Sequence, residues 1–126
     1  MTGHDLYEMA MDIAGIRLRS GGIPDTADDL EVRCVSLINM LITENTFLNE
    51  LLTNNSTPPP HITDLDDTIS MHDKILNFAL PYGLCSMLMM PDDADEAMVF
   101  HNRYIQAIMK IKSELPGECH GIAEVY

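Results

Sequence analysis

Three pairs of aspartates are spaced so that two carboxylates could share a metal ion. The pairs are Asp25 with Asp28, Asp64 with Asp67, and Asp92 with Asp95. Residues three apart lie on one face of a helix, an arrangement that all-α metal-dependent nucleotide pyrophosphatases use inside their helices. Two of the pairs instead follow a proline and open a helix, where carboxylates cap free amides and suit the helix dipole. We therefore predict capping rather than metal binding. A calcium loop is excluded because neither Asp64 nor Asp92 has a glutamate at the twelfth position counted from it.

The histidines, cysteines and serines lack the spacing that catalysis or tight metal binding requires. The five histidines form no HxxxH or HExxH pattern, and the three cysteines are far apart and form no CxxC pair. Glu118, Cys119 and His120 could hold a metal, but they fall in a segment that we expect to be a solvated tail. The chain contains neither a GxSxG turn nor a glycine-rich phosphate loop. We predict no catalytic residue, no metal, no cofactor and no enzyme activity.

Charge and composition limit the partners of the chain. Twenty acidic residues against seven basic ones give a net charge of −13, so binding nucleic acid by phosphate neutralisation is not expected. DNA could still pass close by without sticking. The N-terminus lacks the build of a signal peptide, and no apolar run approaches the ~20 residues of a membrane span. An odd number of unpaired cysteines suits a reducing compartment. We expect a cytoplasmic protein that binds no membrane.

The apolar residues are those of a helical protein. There are ten methionines, many leucines and isoleucines, and no tryptophan, and Met and Leu favour helices over strands. Apolar side chains at helical spacing predict a small all-α bundle of about four helices. The first begins after a Thr2 cap and ends at Gly15 or one turn later. The second opens at Asp25 or Thr26 and ends near Glu44, or continues through Asn45 and Thr46.

The second half of the chain follows a proline-rich break. Pro58, Pro59 and Pro60 force an extended connection between helices two and three, and residues 61–70 are extended or a short turn. The third helix starts between Ser70 and Asp73, with a kink or a restart expected at Pro81. A fourth runs from the acidic turn at 91–96 to about residue 115. We predict one domain over residues 1–115 and a C-terminal tail over 116–126.

Helices two, three and four are predicted to form the core, with the first helix packed across them. We expect eight side chains to be largely buried: Leu37, Leu41, Leu76, Leu84, Leu88, Phe100, Tyr104 and Ile108. Residues 84–90 are apolar nearly all round the helix, which is typical of a central helix. The same pattern also suits a helix that neighbouring chains help to cover, and the sequence leaves both readings open.

The order of several short motifs resembles the head–tail connector (adaptor) proteins of tailed bacteriophages and prophages. In the first half the similar residues are Ala14-Gly15-Ile16, Ile23-Pro24-Asp25 and Leu37-Ile38-Asn39-Met40-Leu41. In the second half they are Ile62-Thr63-Asp64-Leu65, Asp67-Thr68-Ile69, Leu80-Pro81-Tyr82-Gly83-Leu84, Asp92-Asp93 and Phe100-His101-Asn102-Arg103-Tyr104. The resemblance covers roughly residues 5 to 112, and its second half is the more specific. The chain departs from the family in its triple proline and after Lys112.

The resemblance implies a virion protein that forms a ring of about a dozen copies, with a channel for DNA, between the portal and the tail. Its partners would be further copies of itself, the portal and tail proteins, and it would pass from the bacterial cytoplasm into the virion. An acidic surface suits a channel through which DNA slides. Because cations are scarce, Arg17, Arg19 and Arg33 are candidates for the subunit contact; the alternative is that they lie on a free surface.

A second interpretation comes from another class of protein. The chain could be a small acidic prophage-encoded regulatory binding protein, of the antitoxin or inhibitor type, with residues 118–126 as the segment that fills a partner's groove. The genes beside it would distinguish the two, because portal, protease and capsid genes upstream favour the connector.

Overall fold

The computed structural model describes residues 1–15 and 28–115, and for residues 28–30 it describes the backbone alone. Over that part of the chain the structure is all-α. The predicted cap at Asp25 or Thr26, the glycines at 21 and 22, and the tail 116–126 lie outside the described residues. The helices are α1 Gly3–Ala14, α2 Asp28–Glu44, α3 Thr46–Thr53, α4 Leu80–Met89 and α5 Ala94–Ser113, with a π-helical turn at Ile75–Ala79 before α4. None of these helices is both long and apolar enough to cross a membrane.

Both ends of α1 lie where the sequence predicts them. The Thr2 hydroxyl accepts a hydrogen bond from the Asp5 amide at 3.2 Å, and the Asp5 carboxylate accepts one from the Thr2 amide at 3.0 Å. This reciprocal capping box satisfies two amides that the first turn leaves free. Gly15 ends the helix in the left-handed region, at φ 76°, and its amide donates to the carbonyls of Met11 and Asp12.

The described residues form five helices where the sequence predicts about four, because the second is interrupted at Asn45, one of the two outcomes that the spacing left open. The side chain of Asn45 is buried, and its Nδ2 donates to the Leu41 carbonyl at 2.9 Å and to the Tyr104 hydroxyl at 2.8 Å. An asparagine that bonds to backbone in this way competes with the helical pattern. The chain then restarts as α3, so the described helices number five and the proline-rich connection follows α3.

Of the kink or restart predicted at Pro81, the structure shows a restart, in which a π-helical turn is followed by α4. The turn before α4 is wide, and the amide of Leu80 donates to the carbonyl of Ile75, five residues back. Pro81 is the second residue of α4, a position where a missing amide hydrogen costs no helical hydrogen bond. The π-helical turn therefore accommodates a proline within an otherwise continuous helical segment.

Helix α4 is the centre of the domain, as its apolar sequence predicts. Helices α1, α2 and α5 and the π-helical turn all pack against it, and Leu84 and Leu88 are inaccessible to solvent. Of the eight predicted core residues, five are buried: Leu41, Leu76, Leu84, Leu88 and Tyr104. The other three, Leu37, Phe100 and Ile108, are only partly buried and pack against the edge of the core.

Candidate interaction surfaces

Only one of the three arginines proposed for a subunit contact lies among the described residues. Arg17 and Arg19 fall in the undescribed stretch between α1 and α2. Arg33 is half-buried, and its Nη2 donates to the Leu88 carbonyl at 3.5 Å, a long hydrogen bond to the last turn of α4. Arg33 thus has a partner within its own chain, and its role between subunits stays a prediction.

Two motifs that carry the family resemblance meet at the contact between α4 and α5. A Cβ atom built on Gly83 would lie 3.0 Å from Tyr104 Cδ1 and 3.0 Å from Leu41 Cδ2. The Arg103 guanidinium sits 5.9 Å from the centre of the Tyr82 ring, within cation–π range. The lack of a side chain at Gly83 makes room for those of Leu41 and Tyr104. The Leu80–Leu84 and Phe100–Tyr104 motifs therefore form one packing unit.

The hydroxyl of Tyr104 connects three helices. It donates to Glu44 Oε1 at 2.5 Å and accepts from Asn45 Nδ2 at 2.8 Å, so α5 is tied to the junction of α2 and α3. Burial of the phenol, and then its hydrogen bond to Glu44, raise the pKa of Tyr104 well above its usual value. The neutral hydroxyl is the form that this arrangement holds, and its role is to fix the helices.

The second half of the connection is anchored from both sides, although it contains no regular element. Asn39 on α2 holds the backbone of Ile62, accepting from its amide at 2.8 Å and donating to its carbonyl at 2.9 Å. The chain start pairs with it as well, through the Gly3 amide to the Asp67 carbonyl and the Ile69 amide to the Met1 carbonyl. These anchors give residues 62–69 a defined surface.

Two of the three aspartate pairs lie wholly among the described residues, and neither is arranged as a metal site. Asp67 accepts hydrogen bonds from the Thr63 amide and hydroxyl and from the Asp64 amide, which lower its pKa. In the other pair Asp95 is in the first turn of α5. The cap itself is Asp93, whose Oδ1 accepts from the Glu96 amide at 3.0 Å. Over the described residues, no group of three or more His, Cys, Asp or Glu is placed to hold a metal ion.

The two cysteines within the described residues are core residues. Cys34 and Cys85 are both buried, and burial raises the pKa of each thiol to about 12. A thiol with such a pKa carries almost no thiolate near neutral pH, and thiolate is the nucleophile and the metal ligand. Both residues therefore contribute volume to the core rather than chemistry.

Large apolar side chains remain exposed on several helices. Those at least two-fifths exposed are Val32, Met40, Phe47, Phe78, Met90, Met98, Val99, Ile105 and Met109. Three surfaces contain some of them. The methionine groove lies between α2, α4 and α5, and its lining residues are Leu37, Met40, Glu44, Gly83, Ser86, Met87, Met90, His101 and Tyr104.

The other two surfaces differ in charge. The Phe78 groove is lined by Lys74, Phe78, Ala107, Lys110, Ile111 and Glu114. The Val32 face is lined by His4, Glu31, Val32, Val35, Thr63, Asp64, Leu65 and Asp66. Lysines flank the apolar side chains of the Phe78 groove, whereas carboxylates flank those of the Val32 face.

The exposed apolar centres of these surfaces, Val32 and Phe78, were not predicted from the sequence. Val32 lies off the apolar stripe of α2, which was the signal available in the sequence. Phe78 lies in a segment so rich in apolar residues that its exposure could not be distinguished from burial by spacing.

The chain was compared with protein-family models, curated proteins and solved structures, and none of the three comparisons finds a match.

Proposed function

We propose that the chain is a structural virion protein, the head–tail connector of a tailed bacteriophage or prophage. In this role copies of the chain form a neck ring between portal and tail, around a channel for DNA. The protein would be made in the bacterial cytoplasm and then built into the virion. It would act by packing against protein chains and would catalyse no reaction.

The observation that carries the proposal is the meeting of the two most specific motifs at one helix contact. Gly83 and Tyr104 are 21 positions apart in the chain, yet the ring of Tyr104 occupies the space that a side chain at position 83 would need. A resemblance spread over unrelated positions would have no such physical reason. Gly83 and Tyr104 depend on one another for packing, which supports a fold shared with the connector family. The proposed role rests on that resemblance.

The surface supports a role in assembly. Nine large apolar side chains are exposed among the about 100 residues whose side chains the structure describes, and four of the nine lie on its longest helix, α5. Large apolar patches on a protein surface are where other chains bind. A chain with a net charge of −13 would bind DNA weakly, because phosphate contacts require clustered cations. A channel formed by such chains would let DNA slide through.

The test is to mix the purified chain with the portal protein encoded in the same genome and to weigh the complexes by mass photometry. The connector role predicts discrete particles heavier than the portal ring by a fixed number of copies. If the chain never joins the portal at any salt concentration, the proposal is wrong. The variant Arg17→Glu/Arg19→Glu tests the arginines separately, since normal assembly by that variant would remove only their assignment to the contact.

The regulatory interpretation predicts a different result in the same experiment. A small antitoxin or inhibitor would ignore the portal and would bind tightly to the product of a neighbouring gene. Its proposed binding segment, residues 118–126, lies outside the described residues.

A further inference from the structure

We infer that copies of this chain bind one another head to tail, with the Phe78 groove of one copy seated on the Val32 face of the next. This inference rests on the proposed ring, because it names the two surfaces by which like subunits would meet. It is carried by three features of the described residues: exposure of the apolar centres, opposite charge around them, and the absence of any shared residue.

The first feature is that each surface has an apolar centre open to solvent. The side chain of Val32 is 82% exposed, the highest value among the large apolar residues described. Phe78 is 63% exposed and stands beside Ala107 and Ile111 in a groove of about 270 Å³. That volume is just below the roughly 300–1,000 Å³ of typical small-molecule pockets, and it suits one or two apolar side chains of a protein partner.

The second feature is opposite charge. The chain has only seven basic residues, and two of them, Lys74 and Lys110, line the Phe78 groove. Lys74 pairs with Glu114 at 3.3 Å, whereas Lys110 forms no ion pair with any residue that the structure describes. On the Val32 face the carboxylates are Glu31, Asp64 and Asp66, and the side chain of Asp66 is 85% exposed. Complementary charge of this kind fixes register and partner choice.

The partner is a second copy because this chain itself supplies both halves of the match. The groove needs an apolar side chain surrounded by acids, and the Val32 face offers valine among three carboxylates. His4 is the one potential cation on that face, and its Nε2 lies 3.9 Å from an Asp66 oxygen. The remaining charges on the face are negative.

The third feature fixes the symmetry of the contact. The groove is built from Lys74, the π-helical turn and the C-terminal part of α5, whereas the face is built from α1, α2 and residues 63–66. The two share no residue and no helix, so each copy can use both at once. A contact between different surfaces of identical subunits is heterologous, and it closes into a ring or continues as a filament.

The experiment uses two variants that each lose one surface. The groove variant is Phe78→Ser/Lys110→Ala, and the face variant is Val32→Ser/Asp66→Ala. All four side chains are exposed, so neither variant should disturb the core. Phe47→Ser is the matched control, because Phe47 is 68% exposed on α3 and belongs to neither surface. Circular dichroism and thermal unfolding verify that all proteins are folded.

Self-association is measured by sedimentation velocity at rising protein concentration. Wild type and Phe47→Ser should form higher oligomers, whereas each surface variant alone should associate at least about tenfold more weakly. Mixed in equal amounts, the two variants should form a one-to-one dimer and nothing larger, because only one competent groove–face contact remains. Two variants that stay monomeric together, or that each associate like wild type, would overturn the inference.

Salt adds a second readout. At about 0.15 M salt the Debye length is about 8 Å, so repulsion between acidic subunits is screened while paired charges in contact still attract. At about 1 M it falls to about 3 Å and the pairs weaken as well. Association of wild type should therefore peak at intermediate salt. If association of wild type instead keeps rising up to about 1 M salt, the attraction comes from the apolar centres alone and the proposed charge pairing is wrong.

The portal experiment separates this inference from the proposed function. If wild type and both surface variants join the portal equally well, the connector role stands and the groove–face contact is wrong. If the variants complement each other in solution while wild type ignores the portal, the contact stands and the connector role is wrong. Failure of wild type in both assays overturns both.

Discussion

Replacing Gly83 with alanine puts one methyl group into the contact between α4 and α5. The new Cβ would lie 3.0 Å from Tyr104 Cδ1 and 3.0 Å from Leu41 Cδ2, closer than real Cβ atoms normally approach carbon. Neither neighbour can move easily, because the Tyr104 hydroxyl is held by two hydrogen bonds and Leu41 is fully buried. Overpacking of a core costs about 1–3 kcal/mol, and alanine recovers about 1 kcal/mol of helix propensity over glycine. We expect a net loss of about 0–2 kcal/mol.

The measurement is the free energy of unfolding from urea titrations of wild type, Gly83→Ala and Gly83→Val. Valine adds two further methyl groups and regains less helix propensity, so its loss should exceed about 3 kcal/mol. Ser36→Ala, at an exposed position of α2, is the control and should gain about 0.5 kcal/mol from its better helix propensity. If Gly83→Ala is stabilised by the full helix-propensity gain of about 1 kcal/mol, the contact is not tight and the motifs are not interdependent.

Three further changes test the core. Leu84→Ala should lower the free energy of unfolding by about 2–5 kcal/mol, because Leu84 is fully buried in the central helix, whereas Met98→Ala on the exposed face of α5 should have little effect; equal losses would contradict the assignment of α4 as the centre. Tyr104→Phe should cost about 1–2 kcal/mol at neutral pH. The pKa of Tyr104 is higher in the folded than in the unfolded protein, where it is about 10. The contribution of Tyr104 to the free energy of unfolding is therefore complete below about pH 10 and is lost as pH rises through the pKa of the folded protein. The stability of Tyr104→Phe should accordingly fall less steeply at alkaline pH. In a Cys119→Ser variant, Cys34 and Cys85 should react with a thiol reagent at pH 8 only as fast as the protein opens, and at once in denaturant. Fast reaction of that folded variant would show that one of the two is accessible.

Features set by nearby residues could be predicted from the sequence. The Thr2 cap and the Gly15 stop depend on side chains and dihedral angles within one turn of helix, and both lie as predicted. The central position of Leu84 and Leu88 also followed from the sequence, since a segment apolar on all sides must be enclosed.

Features set by distant residues could not. The break at Asn45 depends on a hydrogen bond to the Tyr104 hydroxyl, 59 positions away, while the apolar spacing alone allowed the helix to stop or to continue. The π-helical turn before Pro81 likewise follows from how α4 packs, because a proline in a helical pattern indicates a kink without specifying its type.

The candidate surfaces were the least predictable part of the molecule. Phe78 and Leu76 stand two positions apart in one apolar segment, yet Phe78 is exposed and Leu76 is buried. Helical spacing puts these two positions on different sides of the helix, but whether the outer one stays exposed depends on which other helix packs beside it. The groove and its charges emerged only when α5 was placed beside that turn.

The most direct test of the connector role is to delete the gene from the phage or prophage genome that encodes the chain, and to examine the particles by electron microscopy. The connector role predicts that the deletion strain makes capsids and complete tails that remain separate. The wild-type gene supplied in trans, and the gene for Phe47→Ser, should each restore joined particles. Normal tailed, infectious particles in the deletion strain would contradict it.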